Sequence, residues 1–299
     1  MGMPTWRIRN RNPISDAAVA SNSSERIGVS QPPPPPPPSP PHRAAPLHNM
    51  AEGLPEGMQN VSATLTSAFD AVYAKGVWGK RFGGGSGPGS TVHSAAALIE
   101  LLVNVTQQYN MSSILDAACG SMAWMPNALS SIDSRRQQDG LGRIRYTGMD
   151  IVGALIRKHR AAFAKEAPFW RFVHANMSDA SIVELGAYDL IIAREVFFHV
   201  PESFVLAALR NFQRTGSRWL MATHNPTFVK KSNNDSAVRP VHGYVLGEGG
   251  VRHLNLRLPP YNLPAPRLEL TELVVRGRGY APKDTGNRMA MWKLEELRL

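Results

Sequence analysis

Two acids each close a short apolar run: Ile114-Leu115-Asp116 and, further on, Tyr146-Thr147-Gly148-Met149-Asp150. Behind the first come Ala117, Ala118, Cys119, Gly120 and Ser121, all small enough for a ligand to approach the backbone closely. Asp116 in that setting anchors the loop, accepts a hydrogen bond from a cationic ligand, or is a plain solvated turn aspartate. Asp150 stands where a carboxylate accepts the two hydroxyls of a ribose, and the same residue is also placed to cap a helix opening near Gly153. The pair suits an adenosine-containing ligand. A nicotinamide dinucleotide would need a pyrophosphate cradle of the form G-x-G-x-x-G, and this loop has one glycine, Gly120.

These residues need strands and helices to hold them. Short apolar runs alternate with longer helical stretches, the pattern of parallel strands joined by crossover helices. Strands are expected at Ser113 to Ala118, Arg145 to Met149, Trp170 to His174, Tyr188 to Ala193 and Ser217 to Thr223. Helices are expected at Gly153 to Lys165 and Glu202 to Arg214. The fold class is therefore α/β, a doubly wound Rossmann-like sheet whose ligand crevice lies beyond the carboxyl ends of the strands. Past Thr223 the alternation stops. Leu254 to Leu258 and Met289 to Leu294 read as two further strands pairing antiparallel at the C-terminal edge.

Ahead of the sheet, Val61, Leu65, Phe69, Val72 and Tyr73 recur at helical spacing within Gln59 to Lys75. Gly83 to Ser90 is too glycine-rich for regular structure and runs into a helical stretch, Thr91 to Tyr109, with an apolar face of Leu98, Leu101, Leu102 and Val105. A glycine-rich loop before a helix can cradle an anion, but no Lys-Ser or Lys-Thr pair follows as a P-loop requires. A ligand-contacting loop and a flexible lid both fit.

Residues 1–55 form a Pro/Ser/Arg-rich extension, with prolines from Pro32 to Pro38 continued at Pro40 and Pro41. Such a segment cannot bury enough apolar surface to fold. It is expected to be disordered, with polyproline II across residues 32–41, suited to a proline-binding module, to a transit peptide, or to neither. Residues 56–299 form the folded domain.

The chain's 33 basic and 23 acidic residues leave a net charge of +10. Residues 1 to 50 carry five Arg and two acids, a surplus of +3, so +7 is spread over the rest without a dense basic block, which argues against nucleic acid. The brief Arg/Gly patch Arg276 to Gly279 reads as a solvated loop. The single cysteine, Cys119, has no partner in the chain, and no Cys/His cluster has zinc spacing. No metal is expected. Without a long apolar run or a secretory signal, an intracellular protein, cytoplasmic or organellar, is expected.

Over roughly residues 85 to 299 the chain resembles class I S-adenosylmethionine-dependent methyltransferases. The carriers are the Asp116 to Gly120 loop, Asp150, His174-Ala175-Asn176-Met177, similar to an adenine-edge loop, and Tyr188 to Arg194, similar to the fourth-strand motif. It resembles more narrowly a little-characterised branch with Ser-Gly-Pro-Gly-Ser (Ser86 to Ser90), an Asp-x-x-Cys-Gly loop with a following Trp-Met pair (Asp116 to Met125), and a late stretch here at Leu254 to Pro264. Ala118, Ser121 and Asn176 depart from residues common in the wider family.

The resemblance implies transfer of a methyl group from S-adenosylmethionine to a small-molecule or glycan acceptor at oxygen or nitrogen. Cofactor contacts are expected from Asp116, Ala118, Cys119, Gly120, Asp150, Ile151, Asn176, Met177 and Arg194. Arg194, Glu195 and His199 would lie where the chain passes the methyl group in similar enzymes, with His224 a second histidine near the same rim, each a candidate base or acceptor contact. His199 and His224 also fit plain helix capping and packing. Asn233 to Gly250 reads as a mobile loop closing over the acceptor, and Pro259, Pro260, Tyr261 and Asn262 as a pocket lining or simple packing. Cys119, tucked in the cofactor loop, is not expected to be a nucleophile. The competing reading is a catalytically silent S-adenosylmethionine-binding or scaffold protein working through its proline-rich tail.

Overall fold

The computed structural model describes residues 56–79, 85–233, 250–275 and 281–299. The proline-rich tail, Arg276 to Gly279, and most of the Asn233 to Gly250 segment lie outside these residues, as do the side chains of residues 56–62.

A helix α1 (Glu56–Lys75) precedes α2 (Ala96–Gln108), and then the alternation begins. It runs β1 (Ser113–Ala117), α3 (Met125–Gln138), β2 (Arg145–Asp150), α4 (Gly153–Ala162), β3 (Trp170–His174), β4 (Leu190–Ala193), α5 (Glu202–Arg214) and β5 (Trp219–His224). A final pair, β6 (Leu268–Val274) and β7 (Lys283–Lys293), completes a seven-stranded sheet of order β3-β2-β1-β4-β5-β7-β6. Strands β1 to β5 are mutually parallel. Strand β7 runs antiparallel to both β5 and β6. This is the expected α/β Rossmann-like sheet with its antiparallel C-terminal edge.

The central strands read as unbroken apolar runs because both of their faces are covered. Leu115, Ile191 and Leu220 point to one side, where they pack with Val205, Leu209 and Phe212 of α5 and with Leu65 and Phe69 of α1. Ile114, Leu190, Ile192 and Met221 point to the other, against Leu101, Leu102 and Val105 of α2 and Leu129 and Ile132 of α3. Each such side chain is worth about 1.5–3 kcal/mol of burial. The strand order changes direction at β1 and β4, which opens a crevice above their carboxyl ends.

Two expectations are corrected. Leu254 to Leu258 is not a strand. Leu254 and Leu256 are fully buried in the α5 face of the core, yet asparagines hold their backbone instead of a ladder. The Asn225 amide donates to the Leu254 carbonyl (2.6 Å), Leu254 donates back to Asn225 Oδ1 (3.1 Å), and Asn255 donates to Asn233 Oδ1 (2.7 Å). The strand beside β7 is Leu268–Val274 instead. The helix expected from Thr91 begins only at Ala96, because Thr91 Oγ1 accepts the Ser94 amide at 3.1 Å and closes a separate turn. Helix α3 was not foreseen.

Candidate functional site

A cavity of about 710 Å³ fills the crevice, a volume suited to a small-molecule ligand. Its floor is the loop after β1. Cys119 donates its amide to Met149 O (2.8 Å), and Gly120 donates to Asp150 Oδ2 (2.8 Å). The Gly120 carbonyl accepts from His159 Nε2 at 2.7 Å, so that imidazole carries its proton on Nε2. Gly120 sits at φ +54, a left-handed conformation that favours glycine.

Asp150 holds two backbone amides, one on each side of the loop junction. Oδ1 accepts the Val152 amide at 2.9 Å as α4 begins, and Oδ2 holds Gly120. Its carboxyl still lines the cavity beside Ile151. Burial pushes its pKa up, against the amides that pull it down. Asp116, on the same floor, accepts the Tyr146 hydroxyl at 2.9 Å, and burial lifts it to about 7. It is 4% exposed, which removes the solvated-turn reading.

The structure brings Ala118, Cys119, Asn176, Met177, Arg194, Glu195 and His199 to the same cavity. Asn176 Oδ1 turns back to accept the Ser178 amide and hydroxyl (3.0 and 2.9 Å). Burial holds the Cys119 thiol well above its usual pKa, in keeping with an inert thiol. Arg194 is buried and locked: Nε donates to Glu272 Oε1 at 2.7 Å and an Nη donates to the Gly89 carbonyl at 2.9 Å, with Trp124 beneath the guanidinium. Burial alone would lower its pKa, but the carboxylates of Glu272 and Glu195 raise it overall.

Glu195 follows at φ +52, its amide donating to Thr223 Oγ1 (3.0 Å) and its Oε1 accepting from Asn287 Nδ2 (3.3 Å). Burial, opposed by Arg194, pushes its carboxyl pKa up. His199 Nδ1 faces the Gly250 carbonyl at 2.8 Å, so Nδ1 carries the proton and Nε2 is left as the acceptor. Burial drops this imidazole to about 4, leaving a neutral ring against the Trp78 indole, with centroids 4.8 Å apart.

His224 does not reach the cavity. It is fully buried between the Trp292 ring and Glu269, whose Oε2 lies 3.2 Å from Nε2. Pro259, Pro260, Tyr261 and Asn262 are likewise absent from the lining; the buried Tyr261 hydroxyl accepts from Arg252 at 2.8 Å.

Further lining residues come from α1 and from the glycine-rich segment that the sequence offers as a ligand-contacting loop or a lid. Tyr73 of α1 hydrogen-bonds Ser86 Oγ (2.8 Å), and that oxygen accepts the Ser121 amide (3.0 Å). A Cβ on Gly120 would lie 2.9 Å from Ser86 Oγ and 3.0 Å from the Tyr73 hydroxyl. The segment Ser86 to Ser90 is thus a wall of the cavity, fastened at Ser86 to the β1 loop and at Gly89 to Arg194. Trp78, Thr285 and Asn287 complete the lining. Among the described residues no three His, Cys, Asp or Glu side chains are placed to hold a metal.

No protein-family model and no curated protein matches the chain. Solved structures do, at low identity. The 1,6-didemethyltoxoflavin-N1-methyltransferase of Burkholderia thailandensis, crystallised with 1,6-didemethyltoxoflavin and S-adenosylhomocysteine, aligns over 84% of this chain and 92% of its own at 13% identity and a TM-score of 0.45. An O-methyltransferase family protein from the same organism aligns over 68% and 57% at 12% identity and a TM-score of 0.43. TehB from Haemophilus influenzae aligns over 64% and 60% at 13% identity and a TM-score of 0.41. The likeness is one of fold.

Proposed function

We propose that this chain is an S-adenosylmethionine-dependent methyltransferase acting on a small-molecule acceptor. The observation that carries the reading is the convergence of Asp116, Gly120 and Asp150 on the floor of one cavity at the strands' carboxyl ends, with a single glycine where a dinucleotide needs several. The donor set fits the group. Asp150 would take the ribose hydroxyls, the Asn176-Met177 turn the adenine edge, and the buried Asp116 carboxyl the cationic end. When bound, S-adenosylmethionine supplies a methyl group on a positively charged sulfur, open to in-line displacement.

The chain's own contribution is alignment and exclusion of water. The Ser86 to Ser90 wall and α1 cover the cavity, Arg194 fixes that wall to the turn after β4, and Glu195 is poised to accept a proton from the acceptor. Isothermal titration with S-adenosylmethionine and S-adenosylhomocysteine tests the reading. Both are expected to bind the wild-type protein and neither to bind Asp150→Ala; failure of both with the wild type overturns it.

A further inference from the structure

The titratable groups of the cavity are mostly acids, although the chain is basic. The sequence carries +10, yet among the described lining residues the carboxyls are Asp116, Asp150 and Glu195 and the only cation is Arg194. That guanidinium is already satisfied: Glu272, 4% exposed, lies 2.7 Å from it. The neighbouring ring, His199, is neutral. No positive charge among these residues is left to receive an anion.

Phe69, Trp78, Phe198 and Phe204 also line the cavity, with ring faces and edges that favour a flat or cationic guest. One lining carboxyl, that of Glu195, lies against Gly89 and Asn287. A relay holds its direction. Asn287 donates to Glu195 Oε1, its own Oδ1 accepts from Asn225 Nδ2 at 2.7 Å, and Asn225 is pinned on both sides by the Leu254 backbone.

We propose that the acceptor is a small flat amine whose N–H groups meet Glu195 within this aromatic-lined cavity, and that anionic molecules are turned away. This rests on the methyltransferase reading, since it divides the cavity between a donor end at Asp150 and an acceptor end at Glu195. Burial raises the pKa of all three carboxyls, and a cation brought among them favours their ionised form. A phosphorylated or carboxylated acceptor would add a like charge at low dielectric.

Three probes with one ring and different charge test this: tryptamine, indole and indole-3-acetate, titrated into the full chain saturated with S-adenosylhomocysteine. Tryptamine should bind more tightly than indole, and indole-3-acetate most weakly. Glu195→Gln should weaken tryptamine about ten-fold, the scale of one charge-assisted hydrogen bond, and leave indole unchanged. Indole-3-acetate binding as tightly as tryptamine, tryptamine failing to bind at millimolar concentration, or a folded Glu195→Gln with unaltered tryptamine affinity each overturns the proposal. Should that variant fail to fold, the wild-type order decides alone. S-adenosylhomocysteine binding separates the two readings: if it binds while the probe order fails, only the amine assignment is lost, and if it does not bind, both are.

Discussion

The carboxyl of Glu195 rests against the α-carbon of Gly89, so closely that a methyl group placed there would lie 2.5 Å from Oε2. The second glycine of the Ser-Gly-Pro-Gly-Ser segment is therefore required by a side chain more than a hundred positions away. Gly89→Ala should displace the Glu195 side chain at a modest cost, about 1 kcal/mol. Its mark should be weakened tryptamine binding with S-adenosylhomocysteine affinity kept, read by paired titrations.

Gly120→Ala should be more damaging. The new side chain meets Ser86 Oγ and the Tyr73 hydroxyl while the backbone stays at φ +54. A loss of about 1–3 kcal/mol is expected, with S-adenosylhomocysteine affinity falling as the β1 loop shifts. Melting and titration together measure both.

Removing Glu272 strands a buried guanidinium. Glu272→Ala should destabilise the protein by about 3–5 kcal/mol, seen in urea unfolding, because Arg194 has its other described hydrogen bond only to the Gly89 carbonyl.

Asp116 gives a pH signature. Burial raises its folded pKa from 3.8 to about 7, so the folded state holds the proton more tightly than the unfolded chain. Stability from this group is complete below 3.8 and is lost as pH climbs to about 7. Asp150 and Glu195 act in the same direction. Melting temperature should fall across that window, and less so in Asp116→Asn. S-adenosylmethionine, being cationic, should bind more tightly above pH 7 than below it.

His224→Gln should leave S-adenosylhomocysteine affinity unchanged and lower the melting temperature, since the ring packs on Trp292 and faces Glu269 outside the cavity. A large loss of affinity in a folded variant would return His224 to the site.

Much of this architecture is written in local pattern. Trp170–His174 and Glu202–Arg214 match their expected bounds because a twice-covered strand is a continuous apolar run and an amphipathic helix repeats at its own period. That Asp116, Gly120 and Asp150 meet on one cavity floor is legible for a related reason: in such a sheet the crevice lies beyond the carboxyl ends of the strands. Glu195 and Ser86 stand among the residues the sequence singles out, but Glu272, Trp78 and Asn287 come from three separate segments and owe their places to contacts spanning much of the chain, such as Glu272 to Arg194. Leu254 to Leu258 misled because its alternation marks leucines inserted into the core while asparagines, not a neighbouring strand, hold the backbone. Helix α3 gives a weak signal because Pro126 stands in its first turn and its buried stripe is Met125, Ala128, Leu129, Ile132 and the charged Arg136.

Ser86 and Gly89 belong to one tight turn, yet Ser86 accepts the amide of the β1 loop while the Gly89 carbonyl accepts from the Arg194 guanidinium. On the proposed reading, a donor and an acceptor that each order this turn would bind cooperatively, and by linkage whatever factor the first lends to the affinity of the second is returned in equal measure.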